Sequence, residues 1–298
     1  MNTKRIYLLL SLLALVSLLV TACGATPTPE PTKVPPPTAT KPPAPAATPV
    51  PPTAVPPTPV PPTPTAKPTP FSIKAGTDAT FKPMEYKDEK TGAIIGFDVD
   101  LFNAICVELG CTATYENITF DGIFIALGAK KFDVVVSSVT INDERKKEFL
   151  FSDPYINAGQ IVAVRQDEKV IAGIETITKT HKVGVQLGTT GEEQGNKVCQ
   201  KVGCTVKSYD DITLAFADLA ASRLDAVIND SPITADYIAS NPTAKLKTVG
   251  KVFTEEHYGI TLRKDSADLL TKINAALKKI KDSGKLTELT KKWGLPPQ

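Results

Sequence analysis

The sequence predicts an α/β fold of two lobes. Short apolar strands alternate with amphipathic helices from residue 71 onward, the alternation runs through the same cycle twice, and residues 134–136 form a continuous apolar run of the kind buried on both faces of a largely parallel sheet.

The elements follow in order. A strand is expected over 71–75 and an amphipathic helix over 98–109, with Phe102, Ile105, Cys106 and Leu109 on one stripe. A strand over 112–115, a helix over 120–127, a strand over 132–137 and a helix after Asp143 complete the first cycle. The second cycle opens with a strand over 181–185. LGTTG and a helix beginning at Glu192 and Glu193 come next, then a strand over 205–208, a helix over 212–221, a strand over 225–228 and a helix after Pro232. Residues 258–293 hold a strand and helices but no third domain of their own. The chain is therefore expected to cross between lobes twice, near 158–160 and near 254–257, giving one lobe from 71–158 with 258–298 and another from 159–257.

The first 70 residues read differently. Lys4 and Arg5 precede an apolar run over 6–20, then Thr21, Ala22 and Cys23, which is the layout of an export signal over 1–22 and not part of the fold. The run is short for a permanent span. Residues 23–70 are mostly Pro, Thr, Ala and Val and hold 20 of the 26 prolines, so they cannot build a core. An extended, polyproline-like tether is expected there, at about 3.1 Å per residue.

Beyond the tether the charge is nearly balanced. The chain's 34 Lys and Arg fall to 29 without Lys4, Arg5, Lys33, Lys41 and Lys67, and its 32 acids fall to 31 without Glu30, leaving about −2. No basic face or aromatic platform stands out, so nucleic acid is not an expected partner. The cysteines form two matching pairs, Cys106 with Cys111 and Cys199 with Cys204. Each pair runs from the last turn of a helix, past a glycine, to the start of a strand. Two local disulfides are the simplest reading in an exported chain, with Cys23 as the odd residue; a zinc site of four thiolates is the alternative.

Ligands in open α/β sheets collect beyond the carboxyl ends of strands. Four strand ends carry chemistry here: Asp78 with Phe81; Ser137, Ser138 and Thr140 with Arg145 behind a helix start capped by Asn142 or Asp143; Gln186, Thr189 and Thr190; and Asn229 with Asp230. Each has a plainer reading. Asp78 serves as a turn residue, Arg145 as part of a solvated NDERKKE face, Thr190 and Asp230 as helix caps, Phe81 and Phe120 as core. Together they match an α-amino acid: Arg145 and the hydroxyl loop for the carboxylate, Asp230 for the ammonium, Phe81 and Phe120 around the aliphatic stem, and Asp78 facing a cationic or amide tip.

GTDATFKP, IGFDVDLFNAIC, FDGIFIALGAKKFDVVVSSVTINDERKKEFLFSDPY, VGVQLGTTGEE, LAASRLDAVINDSP, YGITLRKDS and GKLTELTKKWG, in this order, resemble the family 3 extracellular solute-binding proteins of polar amino acid ABC transporters over essentially all of 71–298. The residues before Cys23 resemble a bacterial lipobox, in which that cysteine receives lipid. The resemblance implies a bilobed periplasmic-binding-protein fold and a membrane-anchored monomer facing the extracellular or periplasmic side. It implies an L-amino acid ligand, ABC permease partners and no cofactor. It places Arg145, Ser138, Thr140 and Thr190 on the α-carboxylate, Asp230 on the α-amino group and Phe81 and Phe120 at the aromatic positions. Asp78 resembles both the lysine/arginine/histidine binders and the glutamine binder, and GVQLGTTGEE the arginine type. Gln186 stands where members vary with specificity. The first cysteine pair is spaced more tightly than in the basic amino acid binders and the second has no counterpart there.

Two other classes remain. A few proteins of this resemblance are dehydratases acting on cyclohexadienyl acids, and a sensor ectodomain is the other reading. The only histidines are His181, expected at the surface, and His257, at a crossing, and no phosphate loop, metal-spaced cluster or nucleophile with an evident base is present.

Overall fold

The computed structural model describes residues 71–297. The expected signal segment, the lipid site at Cys23 and the 23–70 tether lie outside the described residues. In chain order the elements are β1 (Phe71–Thr77), β2 (Thr80–Phe81), β3 (Glu85–Lys87), β4 (Ile94–Ile95), α1 (Phe97–Leu109), β5 (Cys111–Asn117), α2 (Phe120–Gly128), β6 (Val134–Val135), α3 (Asp143–Glu148), β7 (Phe149–Phe151), β8 (Ile156–Ala158) and β9 (Gln160–Arg165). They continue with β10 (Lys182–Gln186), α4 (Thr190–Val202), β11 (Thr205–Tyr209), α5 (Ile212–Ala220), β12 (Ala226–Asp230), α6 (Ser231–Ser240), β13 (Leu246–Val249), β14 (Glu256–Tyr258), β15 (Thr261–Arg263), α7 (Ala267–Asp282) and α8 (Lys285–Lys292).

Two five-stranded sheets repeat one plan, with orders β5-β1-β6-β15-β7 and β11-β10-β12-β9-β13. In each sheet the first three strands are parallel, as the sequence predicts, the fourth (β15 or β9) runs antiparallel to them, and the last (β7 or β13) pairs antiparallel with the fourth and so runs with the first three. The antiparallel members follow from the connections. Strand β9 comes directly after β8, and β15 after β14, so each enters its sheet from the crossing rather than from a helix. Strands β8 and β14 pair with each other, Ile156 with Tyr258 and Ala158 with Glu256, and link the two sheets.

Burial explains the pattern. Val134 and Val135 are fully buried, and the pairing of β6 with β1 continues past both its ends through Asp133 N–H to the Lys74 carbonyl and Val136 N–H to the Gly76 carbonyl. Helix α1 covers one sheet with Phe97, Leu101, Phe102 and Ile105 and packs on α7, which buries Ile273, Leu277 and Ile280. Each such side chain contributes about 1.5–3 kcal/mol on leaving water. The short β2-β3-β4 meander was not anticipated, because strands of two or three residues are too short to show a period.

The cysteines need one correction. Cys199 and Cys204 form a disulfide with Cα atoms 4.4 Å apart, but Cys106 and Cys111 are free thiols. Both pairs straddle a left-handed glycine at the helix end, Gly110 or Gly203. The difference lies in the second cysteine: Cys111 is the first residue of β5 and sits in the ladder opposite Phe71, whereas Cys204 precedes β11 and is held by no ladder. The thiols of Cys106 and Cys111 remain hydrogen-bond neighbours, and burial, then that contact, push the Cys106 thiol far up. A four-thiolate zinc site is excluded, since Cys111 belongs to one sheet and Cys204 adjoins the other.

Candidate functional site

A cavity with about 320 Å³ of empty space, part of it open to solvent, lies where the carboxyl ends of β1, β6, β10 and β12 converge. Of the strand-end and aromatic residues singled out from the sequence, its wall contains Asp78, Phe81, Phe120, Ser137, Ser138, Thr140, Arg145, Gln186, Thr189, Thr190 and Asp230, but not Asn229. Glu85 completes it.

Arg145 occupies one side. Asn142 caps α3 by accepting from Arg145 N–H at 2.8 Å, which orients the helix start beside the cavity. The guanidinium donates from Nη1 to the Thr140 carbonyl at 2.9 Å and from Nη2 to the Gly188 carbonyl at 3.1 Å. Gly188 has φ +78, a left-handed conformation that glycine adopts readily. Above the aromatic rings the guanidinium carbon is 5.5 Å from the centroid of Phe120 and 5.2 Å from that of Phe124. Two of its five N–H groups are spent on carbonyls, so a fork remains for a carboxylate. The solvated reading of Arg145 fails.

The capping readings separate in the same way. Thr189, not Thr190, caps α4, its hydroxyl accepting from Glu192 N–H at 3.1 Å. Asp230 precedes α6 but makes no side-chain cap there; its carboxylate accepts from Gln160 Nε2 and Tyr258 OH inside the cavity. Asp78 does bridge its own turn, Oδ1 accepting from Thr80 Oγ1 at 2.9 Å, while Oδ2 accepts from Gln186 Nε2 at 2.7 Å. Phe81 and Phe120 are each 8% exposed and belong to both core and wall.

Burial dominates the electrostatics. It raises Asp78 to about 6 against the lowering effect of Thr80 and Gln186, and raises Asp230 to about 7 with further help from the nearby Glu256 charge. Burial also lowers Arg145, which Glu193, Asp230 and Glu256 partly offset.

Beneath the hydroxyl loop lies a network that the sequence reading missed. Ser138 has φ +47 and 4% exposure; its N–H donates to Asp98 Oδ2 at 2.7 Å, and Tyr155 OH donates to the same oxygen at 2.8 Å. Ser137 Oγ donates to Glu85 Oε1 at 3.0 Å. Burial first, and then the Asp98 charge, push Glu85 well above the carboxylate range. Gln160, Glu256 and Tyr258 form the matching network on the other side. The signal available was weak: Glu85 stands in a meander without periodicity, and Gln160, Glu256 and Tyr258 flank the crossings rather than a strand end. His181 and His257 do not line the cavity; His257 Nδ1 lies 2.8 Å from Asn157 Oδ1 across the β8/β14 pair.

The model of the bacterial extracellular solute-binding proteins, family 3, matches residues 73–296. The chain belongs to that family. It is 34% identical over 221 residues to a probable histidine-binding protein of Neisseria gonorrhoeae, covering 74% of this chain and 82% of that one. An ancestral arginine-binding protein bound to arginine superposes with a TM-score of 0.72 at 43% identity, covering 74% of this chain and 97% of that one. An ancestral arginine-binding protein bound to glutamine gives 0.71 at 42% identity, with 76% and 98% covered. The family 3 chain thus shares the bilobed α/β fold of its solved relatives.

Proposed function

We propose that this protein is the substrate-binding lipoprotein of an ABC importer and captures a basic L-amino acid, arginine, lysine or histidine, between two closing lobes. The observation that carries this reading is that Arg145, with its unspent guanidinium N–H groups, and the buried carboxyls of Asp230 and Asp78 line one cavity. Arg145 takes the α-carboxylate, Asp230 the α-ammonium, and Phe81 and Phe120 flank the stem. Asp78 meets the cationic tip. The lobes are 71–158 with 258–298 and 159–257, moving about β8 and β14, and the bound amino acid stabilises the closed arrangement. No catalytic step is assigned, since the two aspartates of the site are held by protein donors, Asp78 by Thr80 and Gln186 and Asp230 by Gln160 and Tyr258.

The ligand then passes to membrane permease subunits. Lipid on Cys23 and the 23–70 tether keep the monomer at the cell surface. Glutamine is the second reading: a close structural relative was solved with glutamine, and the Asp78–Gln186 pair offers both acceptors and a donor to an amide.

Calorimetric titration of the purified chain, stripped of ligand by unfolding and refolding, against arginine, lysine, histidine, glutamine and glutamate tests the proposal. Binding of one of the basic amino acids at micromolar Kd or tighter, about −8 kcal/mol, supports it. Heat from none of the five sinks it, and preference for glutamine selects the second reading.

A further inference from the structure

Glu256 lies outside the cavity wall, on β14 of the crossing pair, and is 7% exposed. Its Oε2 accepts from Thr140 Oγ1 at 2.8 Å, from Thr190 Oγ1 at 2.8 Å and, more weakly, from Gln160 Nε2 at 3.4 Å. Oε1 accepts from Thr254 Oγ1 at 2.8 Å. The donors come from both sides of the crossing: Thr140 follows β6 in one sheet, while Thr190 opens α4 and Gln160 opens β9 in the other. Main-chain bonds fix the approach, with Gly259 N–H donating to the Val139 carbonyl at 3.0 Å and Ile141 N–H to the His257 carbonyl at 2.8 Å.

A hydroxyl owns one proton. Once the protons of Thr140 and Thr190 go to Glu256, neither side chain has a hydrogen left for a carboxylate in the cavity. Each can turn only lone pairs toward a ligand. Thr190 Oγ1 already uses one, accepting from Gln160 Nε2 at 3.2 Å, and the same amide donates to Asp230. The two threonine oxygens and the Asp230 carboxylate therefore form one group of acceptors tied together by Gln160 and Glu256.

Resting on the amino acid-binding reading above, we infer that Glu256 is a positioning residue for the ligand's α-ammonium. By drawing the hydroxyl protons of Thr140 and Thr190 to itself it makes both oxygens acceptors beside Asp230. The α-carboxylate is left to Arg145 and main-chain N–H groups. This reverses the part that the sequence gives to the Thr140 and Thr190 side chains. It also places the residue that sets their polarity on the strand about which the lobes move.

The test compares L-arginine with 5-guanidinopentanoate, the same molecule without its α-amino group, by calorimetry on the full chain in mild detergent. Glu256→Ala releases both hydroxyls to rotate and donate, so the wild-type preference for arginine over the deamino analogue falls at least about tenfold. Glu256→Gln keeps an oxygen that accepts both hydroxyls and holds the preference within about threefold. An unchanged preference in Glu256→Ala overturns the inference alone. If that variant does not fold, Thr140→Val decides: loss confined to arginine supports the inference, and equal loss for both ligands overturns it. A wild-type chain that binds none of arginine, lysine, histidine or glutamine overturns the amino acid reading together with this one.

Discussion

Gln186 Nε2 donates to Asp78 Oδ2 at 2.7 Å, joining the end of β10 in one sheet to the end of β1 in the other. Asp78, proposed to read the ligand's tip, is therefore held by a neutral amide from the opposite lobe and by Thr80, and forms no ion pair among the described residues. A guanidinium or ammonium adds the missing charge, while a neutral amide adds only another hydrogen bond. Asp78→Asn should lower affinity for arginine or lysine by about 10- to 100-fold, the range of a charge-assisted hydrogen bond, and change glutamine affinity by less than about fivefold. Competition titration between lysine and glutamine checks this; equal loss for both would remove Asp78 from specificity.

Arg145 should be the least replaceable side chain of the site. Its two carbonyl contacts fix the fork and two phenyl rings support it, so Arg145→Ala leaves a ligand carboxylate facing rings and carbonyl oxygens. A loss of at least about 100-fold in affinity is expected. Arg145→Lys should recover little of it, because an ammonium lacks the planar fork. Thermal shift with saturating amino acid separates this from misfolding: the variant should melt normally alone and gain no stability from ligand.

Proton linkage gives a third expectation, and its sign differs between the protein alone and its complex. Burial raises Asp78 to about 6 and Asp230 to about 7, so the fold favours their protonated forms. Their contribution to stability is full below about pH 4, near the ordinary aspartate value, and is lost as pH rises through 6 and 7. A cationic ligand favours the ionised forms instead. Affinity should therefore climb about tenfold or more from pH 5.5 to pH 8, with proton release on binding in that window. Calorimetry in buffers of different ionisation enthalpy measures the protons; uptake or no exchange would contradict the assigned roles of both aspartates.

The parallel cores of both lobes were legible because β1, β6, β10 and β12 are apolar and each is followed by a helix with a recognisable start. The residues that line the cavity were legible for the same reason, since strand ends in such sheets converge. What stayed hidden has a physical reason as well. Strands β8 and β14 are stabilised by each other across about 100 residues of chain, and nothing local in either segment reports that pairing. Glu85, Asp98 and Glu256 are buried carboxyls that take hydroxyl or main-chain N–H donors from distant segments, so sequence shows only charged residues in unremarkable places. The cysteine pairs were indistinguishable by spacing, and strand register separated them.

That register yields the last prediction. Cys111 is fixed opposite Phe71 by the β1–β5 ladder, while Cys204 sits before its strand and closes on Cys199. Alkylation of the unfolded but unreduced chain should therefore label Cys106 and Cys111 and leave Cys199 and Cys204 intact, as read by peptide mass. In the folded state the buried Cys106 thiol should react far more slowly than the partly exposed Cys111, because burial and its neighbour both disfavour the thiolate. Replacing Cys199 and Cys204 together by serine should cost about 2 kcal/mol, the entropy of a loop this short, and leave amino acid binding unchanged, since neither lines the cavity. Complete protection of all four cysteines would mean that β5 gives up its first ladder position to let Cys111 reach Cys106.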